Sequence, residues 1–480
     1  MLVASLFFTV HPWYDATNDG SMYIATARSL ARGEGYSYLG APFLIRPPGF
    51  SCLLVPILLA RGTDFFALNL WVSVWGAAGI LLFFLFLRAR LGPWLAALVA
   101  LLLWFNPGYQ RLCNQVMSDV PGWTALVACL LLERRLRGGS GLAGALGLGV
   151  VLGLATLLRS GNALLAPAIV LAWLLGPRIL EAPWKRRALR AGVFAAGFAL
   201  VLAPWGVRNR VVAPPPPADQ TLLYSYSAGM WHEDMGDPSS PRVPLSEVVG
   251  RFPRQSAKIE HTLAARLKEN EGEAGAGSRV LVGLLLAAVA VRAAWKRAPE
   301  DLFALGTLVV VAFYFGYAAR LLLPVYALML AAAADLLVSL VKRSAAPRIA
   351  TALVALPFLA LLVMDWRPRA GWTEIERLHE AYLDTARAVL RELPEDARLG
   401  AWRGWHHAVY LDRPVWGFER ALERAGTLDA TEDVRAKYGV DHVLLTPLGL
   451  PESVQRDERA FAAYVASRNG GRDVGLVRLR

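Results

Sequence analysis

A polar segment interrupts the apolar N-terminal half of this chain at residues 18–50, NDGSMYIATARSLARGEGYSYLGAPFLIRPPGF. Its first half carries Asp19 and Tyr23 ahead of apolar and small residues at helical spacing, which predicts an amphipathic helix lying on an interface. Arg46 then precedes two prolines that force an extended turn. The apolar stretch at residues 50–60 is short for a membrane span and predicts a re-entrant or interfacial helix.

The whole chain is too apolar for an ordinary water-soluble globule, since 55% of its 480 residues are hydrophobic and 18% are charged. Together with the N-terminal segment, its long apolar runs predict an all-α polytopic membrane protein with about eleven transmembrane helices. The first ten residues lack the features of a cleaved signal peptide and are short for a span. Either the first helix is partly embedded or residues lie upstream of Met1. Apart from the N-terminal segment, the long apolar runs are residues 66–87, 92–106, 120–133, 141–158, 163–176, 189–205, 279–295, 302–319, 321–341 and 348–365.

Arginine and lysine cluster in alternate connections between these runs. Because positive loops remain in the cytoplasm, these connections are predicted to be cytoplasmic, with the N-terminus inside a bacterial-type inner membrane. The outer face then holds loops at residues 11–65 and 206–278 and everything after residue 365. Nucleic acid is not an expected partner, because orientation explains the basic clusters. The basic clusters lie at residues 88–92, 133–139, 185–190, 292–297 and 342–348.

The outward C-terminal part, residues 366–480, has a soluble composition and is predicted to be a small extracytoplasmic α/β domain. It follows a transmembrane domain of residues 1–365. Helical periodicity marks residues 372–393, 418–426 and 430–439, while residues 397–402 and 441–446 favour strands.

Two acids lie at predicted helix starts on the outer face, Asp19 and Asp119. Each can be interpreted as a helix N-cap, a position that favours aspartate. Alternatively, two acids near one membrane surface could orient and deprotonate a hydroxyl. The residues alone leave both interpretations open, and Asp15 is a weaker rival of Asp19.

Several arginines also lie at outward helix ends: Arg46, Arg159, Arg208 and Arg320. Snorkelling of the side chain to the lipid headgroups accounts for any one of them. The positive-inside bias disfavours several outer arginines around one acidic loop, however, so together they suggest a phosphate-binding pocket.

The long outer loop contains the adjacent residues His232, Glu233 and Asp234. Sequence neighbours do not all point one way, so these three are not predicted to form a metal site. His232 and Glu233 are instead expected in a lid or in a segment that contacts the acceptor. A run of prolines within residues 212–220 predicts a stiff spacer.

The order of these motifs resembles one family. Asp19 and Tyr23 in D-x3-Y, LARGEGYS from residue 30, RPPG from residue 46 and MSDVP from residue 117 are followed by LLRSGN, APWGVRNR and RLLLPVYALML. This arrangement is similar to the membrane-embedded C-type glycosyltransferases, which include dolichyl-phosphate-mannose protein mannosyltransferases and the bacterial aminoarabinose transferase of lipid A. The likeness covers about residues 1–365.

The resemblance implies juxtamembrane helices in the first outer loop and a polyprenyl-phosphate-linked sugar as donor. A glycan, lipid or protein would be the acceptor, and the configuration of the sugar would be inverted. It implies that Asp19 is the catalytic base, that Asp119 orients the acceptor or a metal, and that Tyr23 contacts substrate. Donor-phosphate contacts would come from Arg46, Arg159 and Arg320. No cofactor is firmly implied, and participation of a divalent metal is left open.

The first loop departs from the pattern of many members, which have Asp-Glu where this chain, like some bacterial branches, has Asp19 and Gly20. Two other classes of function also stay open. A transporter or flippase for a lipid-linked sugar would line a pathway through the membrane with charge, and an envelope scaffold would keep the fold without catalysis. The location of the acids and arginines at outer helix ends favours the transferase.

Overall fold

The structure is a computed structural model of the chain. The predicted N-terminal span, the proline-rich spacer and the helices predicted at residues 418–426 and 430–439 lie outside the residues that it describes. These are residues 10–15, 17–137, 141–175, 183–212, 230–232, 241–265, 267, 276–314, 316, 319–341, 355–356, 358–362, 372–394, 396–401, 404–417, 439–440, 442–445 and 475–478.

The polar segment folds as a helix, a short hairpin and a second helix: α1 (Asn18–Ala31), β1 (Ser37–Tyr38), the antiparallel β2 (Ala41–Pro42) and α2 (Gly49–Arg61). Thr17 caps α1, because its hydroxyl oxygen accepts a hydrogen bond from the Gly20 backbone N–H at 3.0 Å. Asp19 therefore lies in the first turn of α1, and the interpretation of Asp19 as the N-cap is wrong.

Apolar helices form the body of the protein. Among the described residues, four helical stretches are long and apolar enough to cross a membrane: Phe65–Leu91, Trp184–Val212, Gly277–Lys296 and Ala319–Ser339. The count of eleven spans stays a prediction. The helices after α2 are α3 (Phe65–Leu91), α4 (Pro93–Phe105), α5 (Pro107–Cys113), α6 (Asp119–Leu136), α7 (Leu142–Leu158), α8 (Leu165–Leu175), α9 (Trp184–Val212), α10 (Leu245–Ala264), α11 (Ala276–Lys296), α12 (Pro299–Phe313) and α13 (Leu323–Val341).

Helices α7 and α9 cross in backbone contact. A Cβ atom at Gly149 would lie 2.1 Å from the Phe194 carbonyl oxygen, and one at Gly197 would lie 2.4 Å from the Leu146 carbonyl oxygen. Glycine at these two positions lets the backbones of the two helices approach closely and make direct van der Waals contacts. The crossing fixes α7, whose C-terminal end leads directly into Arg159.

Buried ion pairs lie at the end of the helical body opposite the polar segment. Arg90 at the end of α3 has its Nη2 atom 2.5 Å from Glu300 Oε1, at the start of α12. Arg137, just after α6, has its Nη2 atom 2.7 Å from Glu133 Oε2. Arginines of the predicted cytoplasmic loops therefore form ion pairs with buried acids. The positive-inside rule accounts for the location of these arginines but does not predict these pairs.

Arg292 is the most buried arginine of this network, with 4% of its side chain exposed. Its guanidinium contacts Asp335, and its Nε atom lies 3.2 Å from Asp301 Oδ2. We expect Arg292→Met to lower the free energy of unfolding by about 3 to 5 kcal/mol, because it removes the guanidinium group that pairs with the buried Asp301, while Asp335 keeps its ion pair with Lys296. Thermal unfolding of the detergent-solubilised protein measures the change. Arg88→Met at an exposed position is the control, and equal stability of the two variants would contradict the expectation.

The chain ends in a four-stranded sheet with helices. Its elements are α14 (Trp372–Glu392), β3 (Leu399–Ala401), α15 (Gly404–Leu411), β4 (Val415–Gly417), β5 (His442–Leu445) and β6 (Gly475–Arg478). The strand order is β4-β3-β5-β6, in which β3 is parallel to both neighbours and β6 is antiparallel to β5. The division into two domains at residue 365 stays a prediction.

Candidate active site

Asp19 is bound by two arginines, one at each carboxylate oxygen. Arg46 Nη2 donates to Oδ1 at 2.8 Å, and Arg320 Nη2 donates to Oδ2 at 2.6 Å. Arg46 lies in the turn before α2, and Arg320 lies in the 3-10 turn Ala319–Leu322 before α13. The polar segment is therefore tied through Asp19 to the turn that precedes α13.

The two arginines determine the charge state of Asp19. Burial alone raises the pKa of this carboxyl, but the guanidinium groups of Arg46 and Arg320 outweigh that effect and lower the pKa to about 2. Asp19 is consequently an anion at physiological pH. While both arginines hold it, its affinity for a proton is low.

A second ion pair lies beside the first. Asp119 begins α6, and the cap position before it is Ser118, so the interpretation of Asp119 as an N-cap is also wrong. Arg159 Nη1 lies 2.8 Å from Asp119 Oδ1, in an ion pair whose geometry is not that of a hydrogen bond. Gly122 leaves room for this arginine, since a Cβ atom there would lie 2.7 Å from Arg159 Cβ. Arg320 interacts electrostatically with Asp119 as well as with Asp19, which joins the two pairs.

The loop before α6 connects this cluster to α1. The Tyr23 hydroxyl lies 3.1 Å from Ser118 Oγ. The sulfur of Met117 accepts hydrogen bonds from Thr17 Oγ1 at 3.1 Å and from Arg320 Nη1 at 3.5 Å. The motif MSDVP contains Met117 and Ser118, but only its aspartate was given a role, because a thioether is a weak acceptor and the loop has no periodicity.

Six of the eight predicted site residues thus lie in one cluster: Asp19, Tyr23, Arg46, Asp119, Arg159 and Arg320. His232 forms an isolated β-bridge with Arg242, and Glu233 lies outside the described residues. Within the described ranges, no group of three or more His, Cys, Asp or Glu side chains could hold a metal ion.

The other outer acid and arginine that the sequence suggested have different partners. Asp15 accepts hydrogen bonds from Arg111 and Gln115. Arg208 donates to the carbonyl oxygens of Phe43 and Tyr36, both at 2.9 Å. Arg208 therefore fixes the β1–β2 hairpin against α9.

Residues after the predicted boundary at residue 365 cover α1. Arg28 of α1 donates to the Ala408 carbonyl oxygen at 3.1 Å and to the Val409 carbonyl oxygen at 2.7 Å. Its Nε atom also lies 3.3 Å from Asp412 Oδ1. The helix that carries Asp19 is thus held between the helical body and the C-terminal sheet region.

Arg28→Gln is expected to lower the free energy of unfolding by about 2 to 3 kcal/mol, because it removes buried charge-assisted hydrogen bonds. Arg32→Gln is the matched control, since Arg32 reaches the same Asp412 at 2.8 Å with 49% of its side chain exposed. An exposed pair of this kind contributes about 1 kcal/mol at most. Thermal unfolding of both variants measures the difference, and equal losses would contradict a specific role for Arg28.

Comparisons with known proteins point to one family. The model of the dolichyl-phosphate-mannose-protein mannosyltransferase family matches residues 46–206. ArnT from Cupriavidus metallidurans, whose structure was solved bound to undecaprenyl phosphate, shares the fold with a TM-score of 0.58 and 13% sequence identity. The alignment covers 93% of this chain and 92% of that chain. The resemblance to the membrane-embedded C-type glycosyltransferases is confirmed.

A second C-type glycosyltransferase structure agrees with this result. The oligosaccharyltransferase of Archaeoglobus fulgidus in its apo form has a TM-score of 0.56 at 14% identity, over 92% of this chain and 69% of that chain. No curated protein sequence matches the chain. At these identities the solved structures establish the fold, that of an integral membrane protein.

The packing around α1 gives a reason for the departure after Asp19. A Cβ atom at Gly20 would lie 2.7 Å from Thr17 Oγ1 and 2.9 Å from the Val116 carbonyl oxygen. The backbone of α1 approaches the loop before α6 so closely that only glycine fits. The Glu of the family's Asp-Glu pattern therefore has no room here.

Proposed function

We propose that this protein transfers a sugar from a polyprenyl-phosphate-linked donor to an acceptor hydroxyl on the extracytoplasmic face, with Asp19 as the base. The observation that carries the proposal is a buried carboxylate held between two guanidinium groups, in a fold shared with C-type glycosyltransferases. Guanidinium groups bind phosphate strongly, often through two parallel hydrogen bonds. The cluster therefore combines a proton acceptor with groups that bind a phosphate leaving group.

The proposed reaction is a single displacement. The acceptor oxygen forms a bond to the anomeric carbon while its proton passes to Asp19. The bond from that carbon to the phosphate oxygen breaks, and its electron pair leaves with the polyprenyl phosphate. Attack from the face opposite the leaving group inverts the configuration. A positioned base contributes about 10²- to 10⁴-fold, and Arg46 and Arg320 stabilise the charge that develops on the phosphate.

The second ion pair has a supporting role in this proposal. Asp119 orients the acceptor, and Arg159 is held beside the cluster by Asp119, where it is a further ligand for the donor phosphate. The chain lies in a bacterial-type inner membrane with its N-terminus inside. Residues 366–480 form the extracytoplasmic domain that covers α1.

The location of the charges favours a transferase over a transporter. The ion pairs described above lie at the two ends of the helical body, around Asp19 and around Glu300. Transport pathways instead carry ionisable groups near the middle of the membrane.

A donor panel tests the proposal. Purified protein is incubated with radiolabelled polyprenyl-phosphate sugars and membrane extract, and free polyprenyl phosphate and labelled acceptor are measured. Cleavage of a donor with label in an acceptor is the expected result. A folded protein that cleaves no donor, and moves one intact across the bilayer of proteoliposomes, would be a transporter.

A further inference from the structure

We infer that Arg46 and Arg320 are counter-ions shared between Asp19 and the donor phosphate, and that the donor activates the base by drawing both arginines away from it. This inference rests on the proposed function and adds an order of events, in which the donor binds before the acceptor is deprotonated.

In the structure, both arginines are bound to the Asp19 carboxylate. Each oxygen of the Asp19 carboxylate accepts a hydrogen bond from a different arginine, at 2.8 and 2.6 Å. The exposed fractions of the side chains are 16% for Asp19, 9% for Arg46 and 25% for Arg320. Because water reaches these groups poorly, a second anion entering the site must compete with the carboxylate for the same two cations.

The charges balance at every step of this exchange. The bound donor is a phosphodiester with one negative charge, so phosphate and carboxylate together match the two arginines. During transfer the acceptor proton neutralises Asp19, and the electron pair of the breaking bond gives the phosphate a second negative charge. The anionic charge that faces Arg46 and Arg320 therefore moves from the carboxylate to the phosphate without a change in its total.

The exchange also adjusts the strength of the base. Held by both arginines, Asp19 has a pKa of about 2 and is a poor proton acceptor. As the arginines turn to the phosphate, the pKa of Asp19 rises and the acceptor proton is taken up more readily. When the polyprenyl phosphate leaves, the arginines return and the proton is released to water. The cycle then starts again with Asp19 as an anion.

Binding of the product tests the exchange without turnover. The affinity for undecaprenyl phosphate is measured at pH 8 in lipid nanodiscs, for wild type and for Asp19→Asn. A neutral amide competes for the guanidinium groups far more weakly than a carboxylate does, so Asp19→Asn is expected to bind the product about tenfold more tightly. Asp412→Asn is the control, since it makes the same change in a carboxylate that pairs with Arg28 and Arg32. Its affinity should equal that of wild type.

A second variant separates competition from a purely structural effect. Arg320→Gln is expected to weaken binding about tenfold, and the gain from Asp19→Asn should shrink when both changes are combined. Asp19→Asn that folds but binds no more tightly than wild type would overturn the inference. If wild type still cleaves a donor in that case, the proposed function stands. If wild type neither binds the product nor cleaves any donor, both the proposed function and this inference are contradicted.

Discussion

Asp19→Asn is expected to lower the rate of sugar transfer about 10²- to 10⁴-fold at saturating donor. Asparagine has nearly the volume of aspartate and still accepts a hydrogen bond from an arginine, but it cannot take the acceptor proton. The loss should therefore appear in kcat. The KM for the donor should not rise, since Arg46 and Arg320 remain in place to bind the phosphate.

The rates are measured with the donor that the panel identifies, after thermal unfolding has shown that the variant is folded. Asp412→Asn, on the surface of the C-terminal part, is the control and should keep the wild-type rate. A folded Asp19→Asn variant that transfers sugar as fast as this control would exclude Asp19 as the base.

Gly20→Glu, which restores the Asp-Glu pattern of many family members, is expected to reduce transfer about 100-fold. The new side chain must displace either Thr17 or the loop at Val116, whose carbonyl oxygen would lie 2.9 Å from the added Cβ atom. A displacement of about 1 Å at a reacting group costs a factor of that size. Overpacking should also lower the free energy of unfolding by about 1 to 3 kcal/mol.

Gly250→Glu is the matched control, because it adds the same charge and volume to α10, in the second of the two predicted outer loops. The nearest atom to a Cβ there is Arg254 Nη2 at 3.8 Å, an ordinary contact. Transfer and unfolding are measured for both variants. If Gly20→Glu behaves like Gly250→Glu, the close approach of α1 to this loop does not constrain the site.

Much of the helical body was predictable because its apolar runs are long. The run at residues 66–87 lies within α3, and the run at residues 279–295 lies within α11. Helix α10 was missed because its apolar residues recur at helical spacing among charged ones and form no long apolar run, in a stretch that charge asymmetry had placed in a loop. Helix α9 continues to Val212, past the predicted end at residue 205, although Pro204 lies inside it.

The site was predictable as a set of residues but not as a set of contacts. Charge asymmetry and the resemblance placed Asp19, Arg46 and Arg320 on one face. Their pairing was beyond the sequence, because the two arginines lie 27 and 301 positions from Asp19. The preference of aspartate for the N-cap position also gave a wrong interpretation, since Thr17 rather than Asp19 caps α1. The buried acids Glu133 and Glu300 were overlooked because orientation already explained the basic loops around them.

The structure of the protein in a lipid nanodisc with undecaprenyl phosphate bound tests the central claim most directly. The account predicts phosphate oxygens about 3 Å from the guanidinium nitrogens of Arg46 and Arg320. It also predicts that neither arginine still donates a hydrogen bond to the Asp19 carboxylate. A phosphate bound elsewhere, with both arginines still on Asp19, would contradict it.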